Sequence, residues 1–353
     1  MAKIIDLSKF TFTAEQIRDI NELIFDEVLH APDLAELHQL YDGIVYDKEI
    51  GFITGSGLVG KAGQGCNPEA QDWAIGTRKV LWQPKTWEVI IDECGVDLEN
   101  TCVVYAKNKG VKMHDLTDTD YAAIVVQVLG DAIKDMLYRL VWFNDTAAAN
   151  KTDGGNITDG VDVDYFNIID GLWKQLMAAG AATPAQLIEI AANKEASKAN
   201  QMAKMDGAAA YALLSSMYYA APVMMRNSGN MRFMVTQSVA DAYQQYLTGK
   251  NLESEYKNLV DGVKSLTFLG VPVIPMPVWD TMIQSYNDLG TTFFKPHRAV
   301  LIEKANLAVG TPSTEALTEI DAFYDKMSRK NRFEATDKID AKLLNDKRFV
   351  LGL

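Results

Sequence analysis

The run RKVLWQPKTWEVIIDE, Arg78 to Glu93, sets Val80, Trp82 and, after Pro84, Trp87, Val89 and Ile91 in alternation with polar residues. That is the pattern of a half-buried ribbon. Strand-like runs at Ile44–Tyr46 and Phe52–Thr54 precede it, and a glycine-rich tip from Gly55 to Gly65 lies between. A long hairpin with a flexible tip of this size is rare inside a compact domain. It is expected to reach outward onto a neighbour, so the ribbon is not self-sufficient.

The tip reads GSGLVGKA, Gly55 to Ala62, one residue short of the phosphate-binding pattern G-x-x-x-x-G-K-[ST]. Ala62 stands where the magnesium-binding hydroxyl belongs. The following AGQGCNPEAQ carries two more glycines and a proline, so it cannot open the stable helix whose N-terminus would hold the phosphates. The glycines are better explained as backbone freedom at the end of an extended loop. A nucleotidase using Lys61 remains the enzymatic alternative.

The segment TDTDYAAIVVQVLGDAIKDMLYRLVWFND is the clearest helix. Thr117 can cap it, acidic residues crowd its first turn, and Tyr121, Ile124, Val125, Val128, Leu129, Ala132, Met136, Leu137, Leu140 and Val141 mark one face. At about 1.5 Å per residue it forms a rod roughly 40 Å long, a spine. Before the ribbon, apolar spacing predicts a helix after Thr13 and a short second one over Leu34, Leu37 and Leu40, together an arm with too little apolar surface for its own core. After the spine, helices are expected at 165–178, 184–221 (breaking near Gly207) and 238–247, with strands at Arg232–Thr236, Val271–Met276 and Arg298–Val309. The tail from Glu319 reads as a long returning strand. The Met-rich stretch Met217 to Met234 has core spacing, with an adaptable interface as the alternative.

Chemistry is sparse. The four histidines, His30, His38, His114 and His297, form no metal-ligand spacing, and Cys66, Cys94 and Cys102 form neither a disulfide framework nor a zinc knuckle. The acidic linker from Asn150 to Asp164 lacks the residue order of a calcium loop. No catalytic residue, cofactor or metal is therefore expected. Among 353 residues, 47 acidic against 34 basic side chains give a net charge of −13, which argues against gripping nucleic-acid phosphates. The basic cluster Lys326, Arg329, Lys330 and Arg332 is the one place where anionic contacts are expected, with acidic groups of another subunit as the alternative to DNA. No uninterrupted apolar run approaches a membrane span.

The order of elements, with phrases such as APVMMRNSGNMRFMVTQSVADAYQQYL, LGVPVIPMP, KPHRAVLIEKANLAVGT and FYDKMSRKNRFEATDKIDAKLL, resembles the major capsid proteins of tailed double-stranded DNA bacteriophages along most of the chain. The resemblance implies an α+β Hong Kong 97-type fold. Residues 1–42 would be the N-terminal arm and 43–93 the extended loop. Residues 94–149 and 311–353 would form the peripheral domain, with the spine at 118–145, and 150–310 the axial domain. It further implies an icosahedral shell of hexamers and pentamers around packaged DNA, which is held by non-specific proximity. Portal, scaffold and decoration proteins would be partners, and the location would be the virion, with assembly in the host cytoplasm. Gly55, Gly57, Gly60, Lys61, Trp73, Trp82 and Trp87 become candidates for inter-subunit contact, as does the basic cluster. Lys61 sits where some members cross-link to a neighbour's asparagine. The chain begins directly with the arm, so no fused scaffolding segment is expected. An encapsulin-type compartment shares the same implied fold and is the alternative shell.

Overall fold

The computed structural model describes residues 33–59, 62, 73–93, 120–148, 162–250, 256–258, 264–314 and 317–353. The helix expected after Thr13, the three cysteines, His30, His114, Gly60, Lys61 and the linker up to residue 161 lie outside them.

The described chain starts with a single helical turn, α1 (Leu34–Leu37), whose Ala35 amide donates to the Asp33 carboxylate. Leu40, expected in this helix, instead lies in β1 (Gln39–Tyr41), because His38 is already extended. The ribbon follows as β2 (Lys48–Ser56) and β3 (Ala74–Trp82). Pro84 then separates β3 from β4 (Lys85–Glu93). The spine is α2 (Asp120–Phe143), 24 residues long, so about 36 Å.

Beyond it come α3 (Leu172–Ala182) and the short strand β5 (Leu187–Ile188). The expected helix at 184–221 is in fact two 3-10 turns and two helices, α4 (Lys198–Lys204) and α5 (Gly207–Ala220). Asp206 caps α5 by accepting from the Ala209 amide at 2.8 Å. Next are α6 (Val223–Arg226), β6 (Met231–Val235) and α7 (Gln237–Gly249). Gly207 is forced by the close approach of α5 to α7: a Cβ there would lie 2.9 Å from the Cβ of Tyr246. Strands β7 (Tyr256–Asn258), β8 (Lys264–Phe268) and β9 (Val271–Pro275) lead to α8 (Pro277–Tyr286). The chain closes with β10 (Ala299–Glu303), β11 (Leu307–Gly310), β12 (Asp321–Asp325), β13 (Lys330–Leu343) and β14 (Phe349–Gly352).

These strands make a five-stranded sheet in which β1, β11, β13 and β12 lie in order with β4 also on β13, and a seven-stranded sheet ordered β5-β14-β10-β6-β9-β8-β7. The ribbon β2–β3 is a separate two-stranded unit. Two strands are placed differently from the sequence reading: β4 does not continue the ribbon, and β14 is not part of one long returning strand. β4 leaves the ribbon to pair antiparallel with β13 from Lys85↔Ile339 to Glu93↔Asn331, because Pro84 ends β3 and lets the chain turn onto another sheet. The last strand, β14, joins the seven-stranded sheet between β5 and β10 rather than the five-stranded one.

One core joins the sheets. Val125, Leu129, Ile133, Leu137, Leu140 and Val141 of α2 pack with Ile339 and Ala341 of β13, Val300 and Ile302 of β10, and Leu351 of β14. At the end of the spine, Trp142 meets Trp279 and Trp173 with ring centroids 4.6 and 5.2 Å apart. The Trp142 indole N–H donates to Nε2 of His38 at 2.9 Å, and His38 Nδ1 lies 3.1 Å from the Leu34 carbonyl. The two bonds together define the neutral tautomer with its proton on Nδ1. His38 therefore fastens α1 to the spine.

Burial pushes the His38 ring down from 6.5 to about 4. The folded state holds it neutral, whereas the unfolded chain takes a proton near 6.5. Its contribution is complete above pH 6.5 and is lost as pH falls through 4. At about 1.4 kcal/mol per pH unit, the loss is roughly 3 kcal/mol. Asp280, pushed up by burial to about 6, works oppositely: the folded state binds its proton first, so acidification favours folding. Comparing wild type with His38→Gln isolates the histidine. The urea midpoint of the variant is expected to fall less between pH 7 and 4.5, and parallel falls would refute this account.

Candidate functional site

The ribbon pairs in regular antiparallel register from Lys48↔Trp82 to Ser56↔Ala74. Nine residues per strand give it a length of about 30 Å. Its base is tied to its own subunit. Trp82, 0% exposed, packs with Ile44, Ala308 and Leu344. A Cβ on Gly310 would sit 2.9 Å from the Trp82 ring, so glycine is required there. The Arg78 guanidinium donates to the Leu344 carbonyl and lies 4.7 Å from the Phe52 ring centroid. The Gln83 amide donates to Asp340 at 2.7 Å.

Further out, cover runs out. Ile53, Leu58, Val59, Ile75 and Trp73 stand in solvent, Leu58 at 93%. Trp73 lies across Gly55 of the facing strand, where a Cβ would come within 2.6 Å of the indole. Gly57 turns the chain with φ +111. The structure thus brings Gly55, Gly57 and Trp73 together at the exposed end. Trp82 and Trp87 are corrected: both are buried inside the chain's own core, where they anchor the ribbon base and β4 rather than face a neighbour. Alternation identified their buried side without revealing what buries it.

The basic cluster also divides. Lys330 Nζ and Arg332 Nε both contact the carboxylate of Asp92 on β4, at 2.9 and 3.0 Å. Their hydrogen bonds, Lys330 first, hold Asp92 below the usual carboxylate range. The acidic partner expected on another subunit is therefore in the same chain, because β4 runs beside β13. Lys326 and Arg329 remain exposed in the β12–β13 turn. The turn is fixed by the Met327 amide and the Ser328 hydroxyl donating to Asp325, with Arg329 at φ +57 and Met327 96% exposed.

A further exposed apolar group lies in the Met-rich stretch, where core is the favoured expectation and an interface the alternative. Met217, Met225, Met231 and Met234 are core as their spacing predicts, but Tyr219, Val223 and Met224 project at the corner between α5 and α6. Pro222, which separates the two helices, was the available signal. Among the described residues no group of histidine, cysteine or acidic side chains could hold a metal, and no helix is long and apolar enough to cross a membrane. The nucleotidase reading loses its context. β2 is one strand of an exposed antiparallel ribbon, whereas a phosphate loop follows a buried parallel strand.

A spine helix shared by two sheets, beside a separate two-stranded ribbon, makes an α+β fold of the Hong Kong 97 type. Solved structures that share it include the capsid of Myoviridae phage XM1, at 11% identity over 98% of this chain and 100% of that chain, TM-score 0.52. The capsid of cyanophage P-SCSP1u matches at 10% identity over 96% and 94%, TM-score 0.52. The holo-SrpI encapsulin complex from Synechococcus elongatus PCC 7942 matches at 10% identity over 92% and 88%, also with TM-score 0.52. No family model matches the sequence, and no curated protein matches it.

Proposed function

We propose that this chain is the structural subunit of an icosahedral bacteriophage capsid, assembling with copies of itself into hexamers and pentamers around double-stranded DNA. The observation that carries the proposal is the uncovered distal face of the ribbon. Leu58, Val59, Ile53 and Ile75 expose more apolar surface than a strand pair sustains alone, and a second copy offers the cover. The net charge of −13 suits a wall that must release DNA rather than bind it. The role is non-catalytic, the location is the virion, and portal, scaffold and decoration proteins are the further partners.

Expression of the chain followed by electron microscopy tests this. Closed shells or capsomer rings are expected, and monodisperse monomers at high concentration would sink it. The encapsulin reading is kept because the encapsulin likeness equals the phage ones in TM-score. Particles purified from the native source decide between the two: genome-length DNA supports the capsid, an enclosed enzyme the compartment.

A further inference from the structure

At one end of the seven-stranded sheet, a cleft of about 650 Å³ opens between the start of β6, the end of β10 and the approach to β14. Ile302 of β10 is opposite Arg232 on one side and Phe349 on the other, so Arg232 and Arg348 flank the same strand end. Arg232, Lys304 and Arg348 line the cleft, and Glu303 is its single carboxylate among the described residues. Three cations against one anion leave a local excess of two positive charges in a chain whose net charge is −13.

The protein uses few of the available donors. Arg348 Nη2 donates to Glu303 at 2.9 Å, but its Nε is buried with no partner. Arg232 donates from Nη1 to the Glu36 carbonyl at 3.3 Å, and Lys304 from Nζ to the Ala35 carbonyl at 2.5 Å. Neither is within ion-pairing distance of a carboxylate among the described residues. A guanidinium carries five N–H donors and an ammonium three, so most remain available. Desolvation also lowers the Arg232 pKa, and no acidic partner among the described residues opposes it. Holding the two α1 carbonyls does not require three like charges, and gathering them partly out of water is unfavourable without a counter-charge.

We infer that this cleft is a binding site for a small, multiply charged oxyanion of the phosphate class, free or as a terminal phosphate group. Forked guanidinium donors match phosphate oxygens bidentately. Gly229, at φ +68 with open space where a side chain would be, leaves the 228–230 backbone accessible beside them. A duplex backbone is a poorer match, since the cations sit in one recess rather than along a stripe.

Isothermal titration of the full-length chain with pyrophosphate, at constant ionic strength set by sodium chloride, tests this. Saturable binding of one anion per chain is expected. Arg232→Gln and Lys304→Gln should each weaken it roughly tenfold, the equivalent of about 1.4 kcal/mol. Glu303→Gln should tighten it several-fold by removing the competing carboxylate. The ribbon variant Lys79→Gln should leave it unchanged. Absence of saturable binding, equal affinity in Arg232→Gln and Lys304→Gln, an equal loss in Lys79→Gln, or binding of duplex DNA without binding of pyrophosphate would each overturn the inference. A melting curve checks that each variant is folded, and Lys304→Gln decides the matter if Arg232→Gln is not. The result does not depend on shell formation, so its failure is distinguishable from failure of the capsid reading.

Discussion

Replacing both Leu58 and Val59 by aspartate is expected to leave a folded, soluble subunit that no longer builds shells. The two side chains are 93% and 69% exposed in the single chain, so their replacement removes no internal packing, and surface changes of this kind fall within about 0.5 kcal/mol of neutral. In the assembled state they would be buried against a second copy. Burying each is worth roughly 1.5–3 kcal/mol, so the pair contributes about 3–6 kcal/mol per contact, a factor of roughly one hundred to ten thousand in association. The aspartates add the cost of burying unpaired charge. A closed shell repeats that deficit at every subunit. The expected result is an unchanged circular dichroism spectrum and melting temperature, with particles absent by sedimentation and microscopy. Wild-type yields of shells from the double variant would remove the ribbon end from the interface.

The ribbon shows how much of this architecture the sequence reveals. Alternation over Arg78 to Glu93 correctly marks extended structure, and Pro84 correctly marks its interruption. Nothing local says that Trp82 is capped by Gly310, Ala308 and Leu344, more than two hundred residues later, or that β4 pairs with β13. Those pairings are set by tertiary packing, which the two-residue period cannot carry. The spine is legible because Val125, Leu129, Leu137, Leu140 and Val141 of its 3.6-residue stripe are buried, whereas Val128 and Ala132, expected on the same face, are exposed. The broken helix at 184–221 was half legible: Gly207 marked the break, while the Asp206 cap at its start was overlooked.

The proposed assembly surface follows the same logic. Gly55, Gly57 and Trp73 are legible as an exposed strand end because a glycine-rich strand tip has few structural uses. The corner at Tyr219, Val223 and Met224 is ambiguous in sequence because a methionine-rich helix end has the same composition whether it faces a core or a neighbour. Lys330 and Arg332 illustrate the converse. A basic cluster invites an external anion, yet the sheet supplies Asp92 from within the chain. The charges with no carboxylate partner among the described residues, Arg232 and Lys304, are scattered in sequence and come together only in the sheet.

Trp142→Ala is expected to be the most destabilising single substitution in the joint between the spine and the two sheets. Trp142 is 0% exposed, with Trp173, Trp279 and His38 around it. Truncating a buried tryptophan costs about 3–5 kcal/mol through lost transfer energy and the cavity left behind. The change also strips His38 Nε2 of its donor, and an unsatisfied buried acceptor costs about 1–3 kcal/mol. The two effects share one site and will not add fully. Trp142→Phe separates them, keeping much of the apolar volume while removing the indole N–H. It should cost roughly 1–3 kcal/mol and reduce the contrast between pH 7 and 4.5 that His38 creates. Against a net stability of about 5–15 kcal/mol for a typical domain, the alanine variant should lower the urea midpoint of the unassembled chain sharply. Val128→Ala, on an exposed position of the same helix, should barely change it. Similar midpoints for the two would mean that the aromatic joint does not hold the spine to the rest of the subunit. The proposed shell subunit would depend on that joint, because a ribbon anchored at Trp82 could hold a neighbour only as firmly as the body behind it keeps its shape.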